Sequence, residues 1–187
     1  MNFALPMNFA LQMNRSVRKI LLGLAPACLL LASCAETPPP ETPRESRPAS
    51  GLYQSMTAPG ARLDAPAARD MISLYRGNQG LAALTLDPGL MAAAQAQADA
   101  MAKAGKLSHE VQGSLTERLD RAGYQKSAAV ENVSAGYDTM AEVFSGWRQS
   151  PPHNANMLAP RMRRMGIPAA ANPHTRYKVF WSLMLAN

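Results

Sequence analysis

Three histidines occur in this chain, and each places an imidazole able to move a proton or bind a divalent metal near neutral pH. His109 follows Leu107-Ser108 just past one predicted helix, and His153 follows Ser150-Pro151-Pro152 just past another. His174 stands beside Pro173 in a polar stretch and reads as a solvated loop residue. Glu131 is a sharper signal, because it interrupts the otherwise apolar run Ala128-Ala129-Val130-Glu131-Asn132-Val133. A carboxylate in such a strand is costly unless it is paired, faces a polar cleft, or sits on an exposed sheet edge. Ser150 and His153 are three apart, which makes them neighbours on a helical turn, so hydroxyl–imidazole chemistry is one option. A serine before proline also serves as a helix cap, and no oxyanion hole is evident in the sequence.

The elements that must position these residues are legible in outline. A helix is predicted from about Asp64 with Pro66 in its first turn and Met71, Leu74 and Tyr75 on its inner face, ending at Gly77 and Gly80. Asp87-Pro88 pairs a capping carboxylate with proline at the first helical position. Leu90, Ala94, Ala98 and Met101 then form an inner stripe that Gly105 stops. Ser114-Leu115-Thr116-Glu117 is a capping box for a third, short helix ending at Gly123. Residues 128–133 read as a strand. Asp138 or Thr139 caps a fourth helix with Met140, Val143, Phe144 and Trp147 on one face, and Pro151-Pro152 ends it. Residues 165–167 and 179–185 read as strands joined by a loop through Asn172-Pro173. In the last strand Val179, Trp181, Leu183 and Leu185 face one way and Phe180 and Met184 the other, so that strand is covered on both sides. Amphipathic helices around a small two-sided sheet predict an α+β fold, a three-layer α-β-α sandwich with a small antiparallel sheet.

Several motifs in one order then make the chain recognisable. They are Leu107-Ser108-His109 with Gly113, Arg118 and Ala122-Gly123-Tyr124; Glu131-Asn132-Val133-Ser134-Ala135-Gly136; Trp147-Arg148-Gln149-Ser150-Pro151-Pro152-His153-Asn154-Ala155-Asn156-Met157-Leu158; Pro160-Arg161; and Arg164-Met165-Gly166-Ile167. Together they resemble the bacterial, SCP-like branch of the CAP superfamily of cysteine-rich secretory, antigen 5 and pathogenesis-related 1 proteins. The resemblance covers residues 64–187 and implies the same sandwich. It also implies a cleft lined by two histidines and two acidic residues. His109, Glu131 and His153 match three of those positions, while the fourth falls on Ser150, leaving a triad plus a serine. The disulfides of the eukaryotic members are absent.

Two imidazoles and a carboxylate converging in a groove can bind a divalent metal such as Zn2+. Glu131 would then be a third ligand or the base for a metal-bound water. The alternative is a hydrogen-bonded cleft that fixes the strand against two helix ends. The family includes members that bind metal and others that bind sterols or fatty acids, without an agreed enzymatic activity, so a reaction does not follow from the fold. The expected function is that of a binding module for a small ligand, lipid or cell-wall polymer. A metal-dependent hydrolase of envelope peptide or glycan and a lipid- or sterol-binding protein are the alternatives. For the last, Met91, Met101, Met140, Met157, Met162 and Met165 could form an adaptable lining, although methionine at helical spacing reads better as core.

The N-terminal part sets the compartment. Arg15-Ser16-Val17-Arg18-Lys19 is a basic segment before the apolar run 20–31, which is too short to span ~30 Å of hydrocarbon. Leu31-Ala32-Ser33-Cys34 closes it and resembles the bacterial lipoprotein signal, in which the cysteine is acylated and becomes the new N-terminus. Met-Asn-Phe-Ala-Leu occurs at 1–5 and again at 7–11, and a start at Met13 would bring the basic segment to the N-terminus. The expected organisation is therefore a signal peptide at 1–33, a lipidated Cys34 with a Pro-rich mobile stalk to residue 63, and a CAP domain at 64–187. Cys28 leaves with the signal and Cys34 carries lipid, so no thiol remains for a disulfide. Two or more acyl chains anchor stably, which makes the membrane a partner. Ala35 favours the outer membrane by resemblance to Gram-negative lipoproteins. Losing three of the 19 basic residues with the signal leaves 16 against 13 acidic ones. That balance suits weak attraction to anionic lipid or polymer. No basic patch with interleaved aromatics points to nucleic acid.

Overall fold

The computed structural model describes residues 50–124 and 127–187. The predicted signal, the lipidated Cys34 and the stalk up to residue 49 lie outside the described residues. The fold begins earlier than the predicted boundary at Asp64. A short helix α1 (Ser50–Tyr53), whose Leu52 packs on the core, leads into a segment in which Met56 is buried and Ala61 and Leu63 pack on the core. The Met56 amide donates to the Asp138 carbonyl at 2.8 Å. The apolar residues of 50–63 find a surface to cover, so this part of the expected stalk is folded.

Helix α2 (Ala65–Gly77) starts where Asp64 accepts from the Ala67 amide at 2.9 Å. Its inner row is Ala68, Ile72 and Arg76, with Met71 and Tyr75 half-buried and Leu74 turned to solvent. Two apolar rows compete on this helix, and packing selects the one carrying Ile72. The two-residue strand β1 (Thr85–Leu86) precedes α3 (Pro88–Ala104), capped by Asp87 and closed by Gly105 in the left-handed conformation, as its cap residues predict. Burial pushes the Asp87 carboxyl up. The Tyr124 hydroxyl, the Leu90 and Gly89 amides and the Arg164 charge outweigh it and hold the group below the usual carboxylate range. Leu90, Ala94, Ala98 and Met101 are fully buried, as the stripe predicts. Helix α4 (Leu115–Arg121) opens with the Ser114–Glu117 capping box.

Strand β2 (Ala129–Ala135) leads to α5 (Met140–Gln149), capped by Thr139 with Glu142 completing a second capping box. Pro151-Pro152 ends α5 as expected but also opens a further helix, α6 (Pro151–Met157). Proline suits a first helical turn because its missing N–H has no intrahelical partner there. Strands β3 (Arg164–Gly166), β4 (Ala169–Asn172) and β5 (Lys178–Ala186) complete the chain, and β4 occupies part of what reads as loop.

The sheet runs β1-β3-β5-β2, with β4 also paired to β5. All pairings are antiparallel except β1 with β3, so the sheet is mixed rather than wholly antiparallel. Strand β5 is buried from Val179 to Ala186. On one face Val179, Trp181, Leu183 and Leu185 meet Ile72 of α2, Phe144 and Trp147 of α5 and Met157 of α6. On the other, Phe180 meets Ala98, Met101 and Ala102 of α3, while Ala186 meets Leu90 of α3 and Leu119 of α4. This is the three-layer sandwich. Met101, Met140, Met157, Met162 and Met165 are buried core residues. No helix of the described residues is long and apolar enough to cross a membrane.

Candidate functional site

Register decides where Glu131 points. It pairs with Met184, and Val133 pairs with Ser182, so these four side chains share the face covered by α3 and α4. The carboxylate is almost wholly enclosed, with a side-chain exposure of 2%. Its partner is Arg118 of α4, equally enclosed, which donates from Nη1 to Oε1 at 2.7 Å and from Nη2 to Oε2 at 2.9 Å. A planar guanidinium matches a carboxylate in this two-point manner, and lysine cannot. Ser182 Oγ adds a longer contact to Oε1 at 3.4 Å.

The same pair builds the loop that carries His109. Arg118 also donates to the carbonyls of Gly113 at 3.3 Å and His109 at 2.9 Å. His109 Nδ1 lies 2.9 Å from Glu131 Oε2, while the ring is 56% exposed. A carboxylate accepts, so Nδ1 carries the proton of this contact and the carboxylate sets the orientation of the ring. Further back, the Gln97 amide on α3 donates to the Ser108 carbonyl at 2.7 Å, fixing the approach to His109.

His153 arrives from the opposite layer on α6. Its Nδ1 is 2.9 Å from Ser150 Oγ, and its backbone carbonyl accepts from Asn132 Nδ2 at 3.0 Å. Asn156 Nδ2 donates to the Glu131 carbonyl at 3.0 Å and to Asn132 Oδ1 at 2.9 Å, stitching α6 to β2 beside the carboxylate. The C-terminal end of α6 is held by Arg76, fully buried, which donates to the carbonyls of Met157, Ala159, Met162 and Ala82 at 2.7–3.1 Å. Tyr75 holds the other side through Asn154 Oδ1 at 2.7 Å. Burial first, and then the neighbouring His109 charge, lower the His153 pKa below the usual imidazole value. Both effects favour the neutral ring.

His109 and Glu131 are thus in direct contact, and His153 is close enough to feel the charge of His109. Ser150 contacts His153, but Pro151 and Pro152 remove two amide donors from the start of α6, where an oxyanion would need them. His174 lies in the β4–β5 loop, exposed, its amide donating to Asn172 Oδ1. Among the described residues no group of three or more His, Cys, Asp or Glu side chains is disposed to hold a metal. Both oxygens of Glu131 are engaged by Arg118, so the carboxylate does not fit as a third ligand. Each imidazole engages a protein oxygen through Nδ1, Glu131 for His109 and Ser150 for His153. Sequence reasoning misses the roles of Arg118, Asn132, Asn156 and Arg76. The one available signal is that a carboxylate within an apolar strand requires a cation, without saying which.

A three-layer sandwich in which one histidine bonds a buried glutamate and a second feels that histidine's charge defines a class, and the comparisons supply its family. The model of the CAP family, described as the cysteine-rich secretory protein family, matches residues 69–185, and the chain belongs to this family. Uncharacterized protein YkwD of Bacillus subtilis (strain 168) is 28% identical over 100 residues, 52% of this chain and 39% of that protein. The chain thus spans about two fifths of the length of that curated relative. Among solved structures, an extracellular protein containing a SCP domain from Bacillus anthracis str. Ames superposes with a TM-score of 0.57 at 22% identity, covering 65% of this chain and 39% of that one. An outer surface protein from Borrelia burgdorferi superposes with a TM-score of 0.60 at 16% identity, covering 68% of this chain and 98% of that one. At these identities the structural likeness shows the fold.

Proposed function

We propose that the chain is an exported, lipid-anchored CAP-domain binding module of the bacterial envelope, whose paired imidazoles His109 and His153 take a divalent metal, with zinc the best match. The observation that supports it most is the pinning of the half-exposed His109 by a buried carboxylate. A carboxylate on the far nitrogen fixes the tautomer and ring orientation that a metal-binding histidine needs. The lowered pKa of His153 adds to this, because neutral imidazole is the ligating form. Glu131 then orients His109 instead of binding the ion, which revises its predicted part as ligand or base. A bound zinc would supply Lewis acidity at positions left for water or a ligand. The chain's own residues hold and aim the two rings.

The hydrolase alternative is less favoured, since it needs a base beside the metal and both Glu131 oxygens are engaged. Placement in the envelope rests on the signal-like segment ending at Cys34, and on the extracellular and outer-surface descriptions of structural neighbours. The test is calorimetric titration of zinc into the purified protein beside His109→Ala and His153→Ala. The reading expects micromolar or tighter binding in the wild type and its loss in both variants. Absence of binding in the wild type would make the cleft a structural or purely ligand-binding feature.

A further inference from the structure

At the far end of β2 from the cleft lies a second concavity of about 250 Å3, lined by Thr57, Tyr137, Asp138, Tyr177, Lys178 and Val179. Gly136 stands five residues along from Glu131, on the order of 17 Å at ~3.4 Å per residue. The two tyrosines flank the ends of β2 and β5 and pack on opposite sides of the sheet, Tyr137 with the Trp181 cluster and Tyr177 with the Phe180 cluster. Buried Val179 closes the space between them.

The frame of this pocket is tied to the core. Trp181 Nε1 donates to the Tyr137 carbonyl at 2.9 Å, and Tyr177 packs edge-to-face on Phe180 with centroids 5.9 Å apart. Its polar groups sit at two ends. Asp138 accepts from Thr57 Oγ1 at 3.1 Å through one carboxylate oxygen. Lys178 is exposed, and among the described residues no ion pair engages its ammonium. Lys178 also has the one positive φ of a non-glycine residue among the described residues, at 62°. Glycine would hold that conformation without strain, so the chain keeps an unpaired cation on a backbone that disfavours any side chain.

We infer that this pocket binds one acidic sugar unit of an envelope polymer, its carboxylate on Lys178, its ring against Tyr137 and Tyr177, and its hydroxyl or amide donors on Asp138. The size fits one sugar ring, being just below the ~300–1,000 Å3 of drug-sized sites. Tyrosine supplies an apolar face with a polar tip, the combination a sugar ring requires. The inference rests on the envelope-polymer part of the function proposed above and is independent of its metal part.

N-acetylmuramic acid titrated into the full chain, with N-acetylglucosamine as the counterpart lacking the carboxylate, tests it by calorimetry or saturation-transfer NMR. The acidic sugar should bind at least tenfold tighter than the neutral one. Lys178→Gly should lose at least tenfold in that affinity while melting at or above the wild-type temperature, which separates lost binding from lost folding. His109→Ala should bind the sugar as the wild type does, and Lys178→Gly should match the wild type in a zinc titration. Equal affinity for the two sugars, no binding of either, or undiminished binding by Lys178→Gly would overturn the assignment. Loss of sugar binding in His109→Ala would also overturn it, by placing the sugar in the histidine cleft. A failed zinc titration beside intact sugar binding would count against the metal site alone.

Discussion

Arg118 and Glu131 form a two-point ion pair at 2.7 and 2.9 Å, with 2% of each side chain exposed, and both of its members hold His109. The guanidinium holds the His109 carbonyl while the carboxylate holds the His109 ring. Two charges are therefore buried to orient one half-exposed imidazole. Desolvation offsets much of the attraction in such a pair, so its value lies in geometry more than in stability.

Removing either partner should be far worse than removing both. Glu131→Leu or Arg118→Met alone leaves an unpaired buried charge and should destabilise by about 3–5 kcal/mol. The double variant should recover most of that loss while leaving His109 without its carboxylate. Urea unfolding of the four proteins checks this. Additive losses in the double variant would sink the claim that the charges compensate each other.

Acid should weaken the fold through His153. Its folded-state pKa is lowered, by burial first and His109 second. The unfolded chain therefore takes up the proton first as pH falls below about 6.5. The stability contribution is complete above that value and is lost as pH falls through the lowered folded value. His153→Gln should flatten the stability profile in that window. In an NMR titration His109→Asn should raise the His153 midpoint towards the ordinary value, and an unmoved midpoint would refute the coupling.

Gly166 marks where β3 meets α3 most closely. A β-carbon built there would overlap the Leu90 carbonyl and the Met91 amide, both backbone groups that cannot step aside. Gly166→Ala should cost about 3 kcal/mol, the upper part of the usual range for overpacking. Gly77→Ala, with nothing within 4 Å of the new carbon and φ outside the left-handed region, is the control and should change stability little. Thermal melts of the two variants give the comparison.

Arg76 is a buried cation satisfied by four carbonyls, three of which lie at or just beyond the end of α6. Arg76→Met should destabilise by at least about 3 kcal/mol, because each orphaned carbonyl carries a penalty of ~1–3 kcal/mol. Arg76→Lys should recover only part of this, having no planar fork to reach four acceptors. Full stability in Arg76→Met by denaturant unfolding would show that water replaces the guanidinium.

Local chemistry alone determined much of this protein. Asp64, Asp87, Ser114 and Thr139 each begin a helix because a capping oxygen acts within three residues of itself, a reach the sequence displays directly. The burial of β5 on both faces was equally visible, since its apolar residues do not alternate with polar ones. The positions of His109, Glu131 and His153 came from ordered motifs shared with a family, and contact between the first two is what the fold delivers. Other features were decided only by tertiary packing. Strand β4 is four residues long and mostly alanine, and it becomes a strand because β5 offers it an edge. Met56 enters the core because α2 and α5 leave a surface for it. The choice of Ile72 over Leu74 for the interior depended on which helix face met the sheet. Above all, the pairing of Glu131 with Arg118 joins a strand to a helix 13 residues away. No periodicity encodes such a pair, because the need for a counter-charge is local while its source is set by how the layers close.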